Sequence, residues 1–248
     1  DSFFIRGLNF NIDAIRNPLC DDKSKWSGEK MILIPSLIDD TLTRANIVNF
    51  YARPNNNRKF GRFAITPSFS MANDFSHFGA IVAKKETIEQ LLSSAKNGEH
   101  EKTIVLVNRY DGVDLPDDTC RILIVDSLPT CQSLADRYEL NCREDSDIVN
   151  QRLAQKIEQG IGRSVRGEKD YSAIIIIGPN LVKFIRSNAT KQYFSLQTRK
   201  QIEIGLDIAE SAKEEVDENT TPIKVLLRLI KQLVMRDESW KEYYKEQM

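Results

Sequence analysis

Histidine and cysteine are scarce in this 248-residue chain, which contains two histidines and four cysteines. His77 and His100 lie in polar contexts without a partnered nucleophile, so the sequence indicates no catalytic triad. The cysteines lack the close paired spacing of a zinc site, and they are few for a secreted disulfide framework of this length. We therefore expect reduced thiols in a cytoplasmic protein.

The chain also lacks an excess of positive charge, because 35 Lys and Arg residues face 36 Asp and Glu residues. With a formal net charge of −1, any contact with nucleic acid has to be local. No apolar run approaches the roughly 20 residues that cross a bilayer, so we expect no membrane partner. No G-x-x-x-x-G-K-[S/T] loop occurs, so the chain is not predicted to hold a nucleoside triphosphate alone in the P-loop manner.

Short apolar runs without polar alternation are what the sequence does contain. This pattern is typical of strands covered on both faces of a parallel sheet. Helical stretches separate them, which predicts an α/β, doubly wound, mostly parallel sheet. The apolar runs are residues 31–34, 63–65, 80–83, 103–107, 122–125 and 173–178, and the helical stretches are about 41–51, 85–96, 147–165 and 181–188.

The strand pattern stops near Phe194, and two helices are predicted after it. One covers about residues 196–215, and the other begins at Pro222 after two threonines. The second helix is more apolar than a surface helix requires. It could pack on the sheet of its own chain or on a neighbouring chain, and we expect the former.

A polar loop, residues 108–116, directly follows the predicted strand at 103–107. In a doubly wound sheet, ligands bind beyond the carboxyl ends of the strands, so this loop is a candidate site. Asp111 and Asp114 could serve a metal, a ribose hydroxyl or general base chemistry. Alternatively, Asp111-Gly112 forms a turn and Asp114 caps a helix, and the spacing alone leaves both interpretations open.

A second candidate segment, residues 159–167, ends the predicted helix. Gln159, Arg163 and Arg166 fall within an arc of about 60° at helical spacing, opposite an apolar stripe. Guanidinium groups on one face suit phosphate-like anions. The alternative is a surface arginine pair in salt bridges with Glu158 or Glu168.

Two glycines inside that segment, Gly160 and Gly162, also need an explanation. Each costs a helix about 1 kcal/mol relative to alanine. We expect the close approach of another backbone or of a phosphate.

Together and in this order, the two segments resemble motifs V and VI of superfamily 2 helicases of the DEAD/DEAH-box kind, in the branch of DinG and XPD. Motif V there reads approximately Glu-Gly-x-Asp, and Asp111-Gly112-Val113-Asp114 matches it with aspartate in place of glutamate. Motif VI reads Gln-x-x-Gly-Arg-x-x-Arg, and Gln159, Gly162, Arg163 and Arg166 meet every specified position. The sequence FAITPSF at 63–69 resembles motif IV, and RILIVDSLP at 121–129 resembles the strand after motif V.

The resemblance implies the second RecA-like lobe of a two-lobed motor. Residues 1–60 would be a lead-in segment, 61–190 the lobe and 191–248 a helical extension. ATP with Mg²⁺ would be held mainly by the N-terminal RecA-like lobe of the same protein, which carries the P-loop and the acidic motif. The start at Asp1 fits a cut just after that lobe, and we expect the isolated chain to be inactive.

The resemblance also implies roles for individual residues. Arg163 and Arg166 would act as arginine fingers on the γ-phosphate, and Gln159 would help to position it. The nucleotide side would include Asp111, Gly112, Asp114 and Gly162, with Asp114 near the ribose or near a finger arginine. Contacts with single-stranded nucleic acid, for which DNA is favoured, would come from Thr66, Ser68, Asn108 and Arg109.

Two other functions stay open at the level of sequence. One is a DNA translocase subunit of a restriction or defence system, which pumps duplex without separating its strands. The other is an interaction module for nucleic acid or protein that no longer hydrolyses ATP.

Overall fold

The fold is a six-stranded parallel sheet with helices on both faces. The structure, a computed structural model, describes residues 3–16, 28–129, 146–165 and 169–248, together with positions 134, 138, 142 and 167. The strands are β1 (Glu29–Leu33), β2 (Arg62–Thr66), β3 (Ile81–Ala83), β4 (Ile104–Val107), β5 (Ile122–Asp126) and β6 (Tyr171–Ile177). Their order is β1-β6-β5-β2-β4-β3, and every neighbouring pair is parallel. The α/β, doubly wound prediction is confirmed.

The helices alternate with these strands as far as β6 and then follow one another without further strands in the described part of the chain. They are α1 (Ile12–Arg16), α2 (Pro35–Ile38), α3 (Arg44–Ala52), α4 (Phe69–Ser76), α5 (Ile88–Lys96), α6 (Asp147–Ile161), α7 (Pro179–Arg186), α8 (Asn188–Lys191), α9 (Leu196–Glu214), α10 (Pro222–Val234) and α11 (Glu238–Gln247). A π-helical turn spans Phe3–Gly7, and 3-10 turns span Asp117–Thr119 and Gly162–Ser164. Helices α1, α2, α4, α8 and α11 are not among the helices that the sequence predicts.

Each strand buries side chains on both of its faces. In β6, Ala173 and Ile175 belong to one apolar cluster, whereas Ile174 and Ile176 belong to the other. Helices α3, α4, α10 and α11 contribute to the first cluster, and α5, α6 and α7 contribute to the second. This double coverage explains why the strands read as continuous apolar runs.

Helix α9 lies along the edge strand β1. A Cβ atom on Gly205 of α9 would lie 2.6 Å from the carbonyl oxygen of Ile32, so only glycine permits this approach. Tyr244 of α11 also reaches β1, because its hydroxyl accepts hydrogen bonds from Gln201 Nε2 at 2.8 Å and from the Lys30 N–H at 3.5 Å. The edge of the sheet at β1 is therefore covered by helices.

Helix α10 packs against β6 and β1 of its own chain. Its buried residues are Val225, Leu226, Ile230 and Leu233. The prediction that this apolar helix is buried within its own chain is confirmed.

The segment before residue 61 contributes to the sheet, since β1 pairs with β6 from Glu29 to Leu33. The domain boundaries at 60/61 and 190/191 stay a prediction. Within the described ranges, no helix is long and apolar enough to span a membrane.

Candidate functional site

The loop after β4 is held against the loop after β2. Asn108 has a φ of +51°, and its backbone N–H donates to the carbonyl oxygen of Thr66 at 2.7 Å. Because β2 and β4 are parallel neighbours, both loops lie at the carboxyl edge of the sheet. Gly112 has a φ of +74°, which fits a turn, and Asp111 and Asp114 are exposed on either side of it.

Arg163 joins the end of α6 to this loop. Its Nε donates to the Tyr110 carbonyl oxygen at 2.8 Å, and its Nη1 donates to the Val113 carbonyl oxygen at 3.1 Å. Asp114 Oδ1 lies 3.5 Å from the same Nη1. In return, the Leu115 N–H donates to the Arg163 carbonyl oxygen at 3.1 Å. The two sequence motifs therefore form one structural unit.

Gln159 and Arg163 do not share one exposed face, which corrects the prediction from helical spacing. Helix α6 ends at Ile161 and tightens into the 3-10 turn Gly162–Ser164, so the rotation of about 100° per residue does not continue to Arg163. Gln159 is exposed, whereas Arg163 is buried with 9% of its surface accessible. Arg166 lies outside the described residues.

Among the described residues, Glu158 is not the salt-bridge partner of Arg163. That carboxylate accepts a hydrogen bond from the Ser195 N–H at 3.1 Å and another from the Ser195 hydroxyl. Glu168, the other partner considered, lies outside the described residues. The ion pair that the structure gives Arg163 is with Asp114.

Two carboxylates lie close to the Arg163 guanidinium, Asp114 in an ion pair and Asp111 nearby. Burial lowers the pKa of the Arg163 guanidinium, and the nearby Asp111 carboxylate acts in the opposite direction. The group stays charged at neutral pH, because an arginine does not deprotonate there. A buried guanidinium bonded mainly to neutral carbonyl oxygens is suited to exchange them for an anion, since hydrogen bonds between two charged groups are stronger.

The close approach of an aromatic ring explains the glycine at position 160. The sequence had predicted another backbone or a phosphate there. A Cβ atom on Gly160 would lie 2.8 Å from Cδ1 of Tyr110, a side chain that is 1% exposed. Around Gly162, nothing described lies within 4 Å of the same position. Sequence reasoning missed Tyr110, although an aromatic residue inside a polar loop was a signal for it.

The hydroxyl groups of the β2 loop are used within the chain. Thr66 is fully buried, and its Oγ1 donates to the Ser68 carbonyl oxygen at 3.3 Å. Ser68 Oγ accepts from the Met71 N–H at 3.3 Å and caps α4. Ser68 is half-buried, and Arg109, which follows β4, is exposed. The surface available to a ligand here therefore consists of Ser68, the first turn of α4 and Arg109.

A third group at the same edge was also missed. Asp126 ends β5, is fully buried, and accepts hydrogen bonds from Arg44 Nε at 2.8 Å and Nη2 at 2.8 Å. Arg44 Nη1 also donates to Asp74 at 2.7 Å, and Ser127 Oγ donates to Asp126 at 2.8 Å. An aspartate at the end of an apolar run was a readable signal, but its partner lies 82 residues away in the sequence.

The edge of the sheet around Arg163 contains buried polar atoms without partners and no group of metal ligands among the described residues. Among them, no group of three or more His, Cys, Asp or Glu residues could hold a metal ion. Two buried polar atoms near the Arg163 contact, Asn108 Oδ1 and Ser164 Oγ, have no hydrogen-bond partner in the described part of the chain. These atoms leave hydrogen-bonding capacity for a ligand at this edge of the sheet.

Residues 64–200 match the helicase C-terminal domain family, which covers both motif segments. The chain belongs to this family. The expectation of a superfamily 2 helicase C-terminal lobe is thus confirmed. No curated protein matches the chain.

Solved structures of helicases are similar to this helicase C-terminal domain. One titled "XPD_Helicase" is 16% identical with a TM-score of 0.49, and the match covers 68% of this chain and 34% of that one. The C-terminal domain of the DEAD-box protein Dbp5 is 14% identical with a TM-score of 0.39, and the match covers 71% of this chain and 97% of that one. The chain thus spans about a third of the length of the XPD structure.

Proposed function

We propose that this chain is the second motor lobe of an ATP-dependent nucleic-acid helicase. In this function, the N-terminal lobe of the same protein holds ATP with Mg²⁺. The lobe formed by the present chain supplies Arg163 and Arg166 to the γ-phosphate. The observation that carries the proposal is the contact of Arg163 with the loop at 110–114, inside a chain of the helicase C-terminal domain family. This contact places a charged guanidinium beside the loop that follows a strand of the sheet.

ATP supplies the phosphoryl group and Mg²⁺ neutralises its charge, whereas this lobe contributes a positioned cation. Arg163 moves from the carbonyl oxygens of Tyr110 and Val113 to the γ-phosphate when the lobes close, because a phosphate is a stronger acceptor than a neutral carbonyl. Gln159, exposed one turn earlier, orients the phosphate. Asp111, Gly112, Asp114 and Gly162 shape the nucleotide side of the contact.

The same movement is transmitted to nucleic acid through the β4 loop. Arg163 holds Tyr110 and Val113, while Asn108, earlier in that loop, is bonded to Thr66 of β2. A shift of the loop therefore displaces the surface around Ser68 and Arg109. Contacts from these residues and from the N–H groups of α4 go to the sugar-phosphate backbone of a single strand and carry no sequence information.

The test is an arginine substitution in the full-length protein that contains this chain. We expect Arg163→Ala to lower the ATPase rate by about a hundredfold or more, because an arginine finger stabilises the transition state for phosphoryl transfer. Arg186→Ala, at an exposed arginine of α7, is the matched control and should leave the rate unchanged. Circular dichroism and the affinity for a single strand, measured without nucleotide, show whether the variant is still folded. If both are unchanged, a lower ATPase rate reflects loss of catalysis and not loss of fold.

An unchanged rate in Arg163→Ala would remove the finger role. The isolated 248-residue chain provides a second readout, since it should hydrolyse no ATP without the N-terminal lobe. Sustained turnover by this chain would contradict a nucleotide site shared between two lobes.

A further inference from the structure

A groove runs between α3 and α10 on one face of the sheet. It consists of two recesses with volumes of about 630 and 340 Å³. Both recesses are lined by Phe50, Asn55 and Arg62, so they join. Arg62 begins β2, and the groove therefore reaches the amino edge of the sheet, opposite the edge that carries Ser68 and Asn108.

The charges that line this groove are all of one sign among the described residues. Arg53, Arg58, Arg62 and Lys231 contribute four cations, and no aspartate or glutamate lines either recess. The chain as a whole has a formal charge of −1. A cationic groove on a chain of balanced charge is a local feature that favours an anionic partner.

Two of the arginines, the buried Arg62 and the half-buried Arg58, have a guanidinium nitrogen without a hydrogen-bond acceptor among the described residues. Arg62 is 9% exposed and lies over the Tyr51 ring at 5.4 Å, and its Nε has no acceptor among the described residues. Arg58 Nε likewise has none. The acceptors of Arg58 include the carbonyl oxygens of Arg53 and His100, and burial lowers its pKa to about 10 against the opposing effect of Glu101. Both guanidinium groups stay charged at neutral pH, so they add to the positive field of the groove.

Apolar side chains form the walls between these cations. Phe50 is 40% exposed, Leu227 is 38% exposed and Met235 is 70% exposed. Phe60 and Val234 line the smaller recess beside them. Exposed aromatic and methionine side chains beside arginines are typical of protein-binding surfaces.

We propose that the groove between α3 and α10 binds an acidic peptide segment of a partner protein that also carries apolar side chains. Three side chains of the smaller recess, Leu227, Val234 and Met235, are aliphatic. They favour the apolar side chains of a peptide over nucleic acid, whose bases bind by stacking on aromatic rings. The 13 residues of α10 extend for about 20 Å. A bound peptide of this length has about 6 residues if it is extended and about 13 if it is helical.

Fluorescence anisotropy with a labelled 12-residue peptide, in which Asp and Glu alternate with Leu and Phe, tests the proposal on the 248-residue chain. We expect the double variant Arg53→Glu/Lys231→Glu to weaken binding by about tenfold or more, because both side chains are exposed at the groove. The control Lys85→Glu/Lys96→Glu makes the same change of charge at exposed positions outside the groove and should change affinity less than about threefold.

A second variant tests the apolar wall. Leu227→Ser should also weaken binding of the acidic peptide, while a peptide with Lys in place of each Asp and Glu should not bind. Equal weakening by the groove and control variants, or no binding of the acidic peptide, would overturn the proposal. Displacement of the peptide by an oligo(dT) strand would also overturn it, because the groove would then be a nucleic-acid surface.

Discussion

Tyr110 is the side chain through which the two motif segments contact each other. Its ring packs on Gly160, its carbonyl oxygen accepts from Arg163, and the Lys156 ammonium lies 5.4 Å from its ring centroid. Its hydroxyl is buried without a hydrogen-bond partner among the described residues, and burial raises its pKa, with a further contribution from Asp126. The ring thus sets the distance between the β4 loop and α6.

Adding one methyl group at Gly160 tests this packing. We expect Gly160→Ala to lower the free energy of unfolding by about 1–3 kcal/mol, because the new Cβ atom would lie 2.8 Å from a fully packed ring. Gly162→Ala is the matched control, since its φ is −72° and nothing described lies within 4 Å. The control should be neutral or stabilising, by up to about 1 kcal/mol. Urea denaturation measures both.

A double variant identifies the cause of the loss. Tyr110→Leu should remove much of the effect of Gly160→Ala, because it removes the ring that the methyl group meets. If Gly160→Ala costs the same with and without Tyr110, the ring is not the reason for this glycine.

For single residues, the sequence predicted which residues belong to the site better than it predicted whether they are buried. Arg163 stands out in Gln-x-x-Gly-Arg-x-x-Arg, but the helix predicted for 147–165 ends at Ile161, and that difference makes an exposed arginine a buried one. The position where an α-helix tightens into a 3-10 turn depends on tertiary contacts, here with the Tyr110 and Val113 carbonyl oxygens. No local pattern carries that information.

At the scale of elements, the Glu29 carboxylate links β1 to helix α11 and to the turn that precedes it. Glu29 of β1 accepts two hydrogen bonds from Arg236, both at 2.6 Å, and one from Trp240 Nε1 at 3.2 Å. Arg236 also lies over the Tyr171 ring at 4.4 Å. The bidentate contact with Glu29 raises the pKa of Arg236. Arg236 therefore stays protonated near neutral pH, and the ion pair persists there.

Neutralising that carboxylate should loosen α11. We expect Glu29→Gln to lower the free energy of unfolding by about 1–2 kcal/mol, because Arg236 loses a charged acceptor that is 20% exposed. Glu238→Gln is the matched control, since its partner Lys241 is on the surface and the carboxylate is 79% exposed. The control should stay within about 0.5 kcal/mol. An equal loss in both variants would argue against the attachment.

Among the elements, the strands were predicted well, whereas five helices of the described chain, α1, α2, α4, α8 and α11, were not predicted. Three of these, α1, α2 and α8, have only four or five residues and are too short to show a helical period. Apolar runs such as 122–125 identify strands, because burial on both faces leaves no polar position. Helix α4 is fixed by the Ser68 cap at the end of a strand, which the apolar pattern does not reveal. Helix α11 buries only Trp240 and Tyr244, so it lacks a full apolar stripe.

At the scale of the whole molecule, average charge conceals local fields. The formal charge of −1 predicts no global attraction to nucleic acid, yet Arg53, Arg58, Arg62 and Lys231 meet in one groove. Composition could not indicate this, because these residues come from the loop after α3, from β2 and from α10. The family match, by contrast, agrees with local motifs, and the α/β class follows from the alternation of strands and helices. The order of the strands in the sheet was not predicted.

The two edge strands of the sheet should differ in local stability. Helices overlay the edge strand β1, whereas the opposite edge is formed by the short strand β3. Strand β5 lies between β6 and β2 and is fully buried, while β1 is an edge strand overlaid by α9 and α11. Strand β3, at the other edge, is short and only half-buried at Ile81 and Val82. We therefore expect amide hydrogen exchange to be slowest in β5, intermediate in β1 and fastest in β3, with about a hundredfold between β5 and β3.

Hydrogen exchange in the Glu29→Gln variant tests whether α11 protects strand β1. If α11 protects β1 through Glu29, exchange should become faster in β1 while β3 and β5 keep their rates under conditions where only local opening occurs. Uniform acceleration in all three strands would mean that α11 stabilises the sheet as a whole. Unchanged exchange in β1 would mean that α9, whose Gly205 approaches Ile32, is sufficient to close this edge.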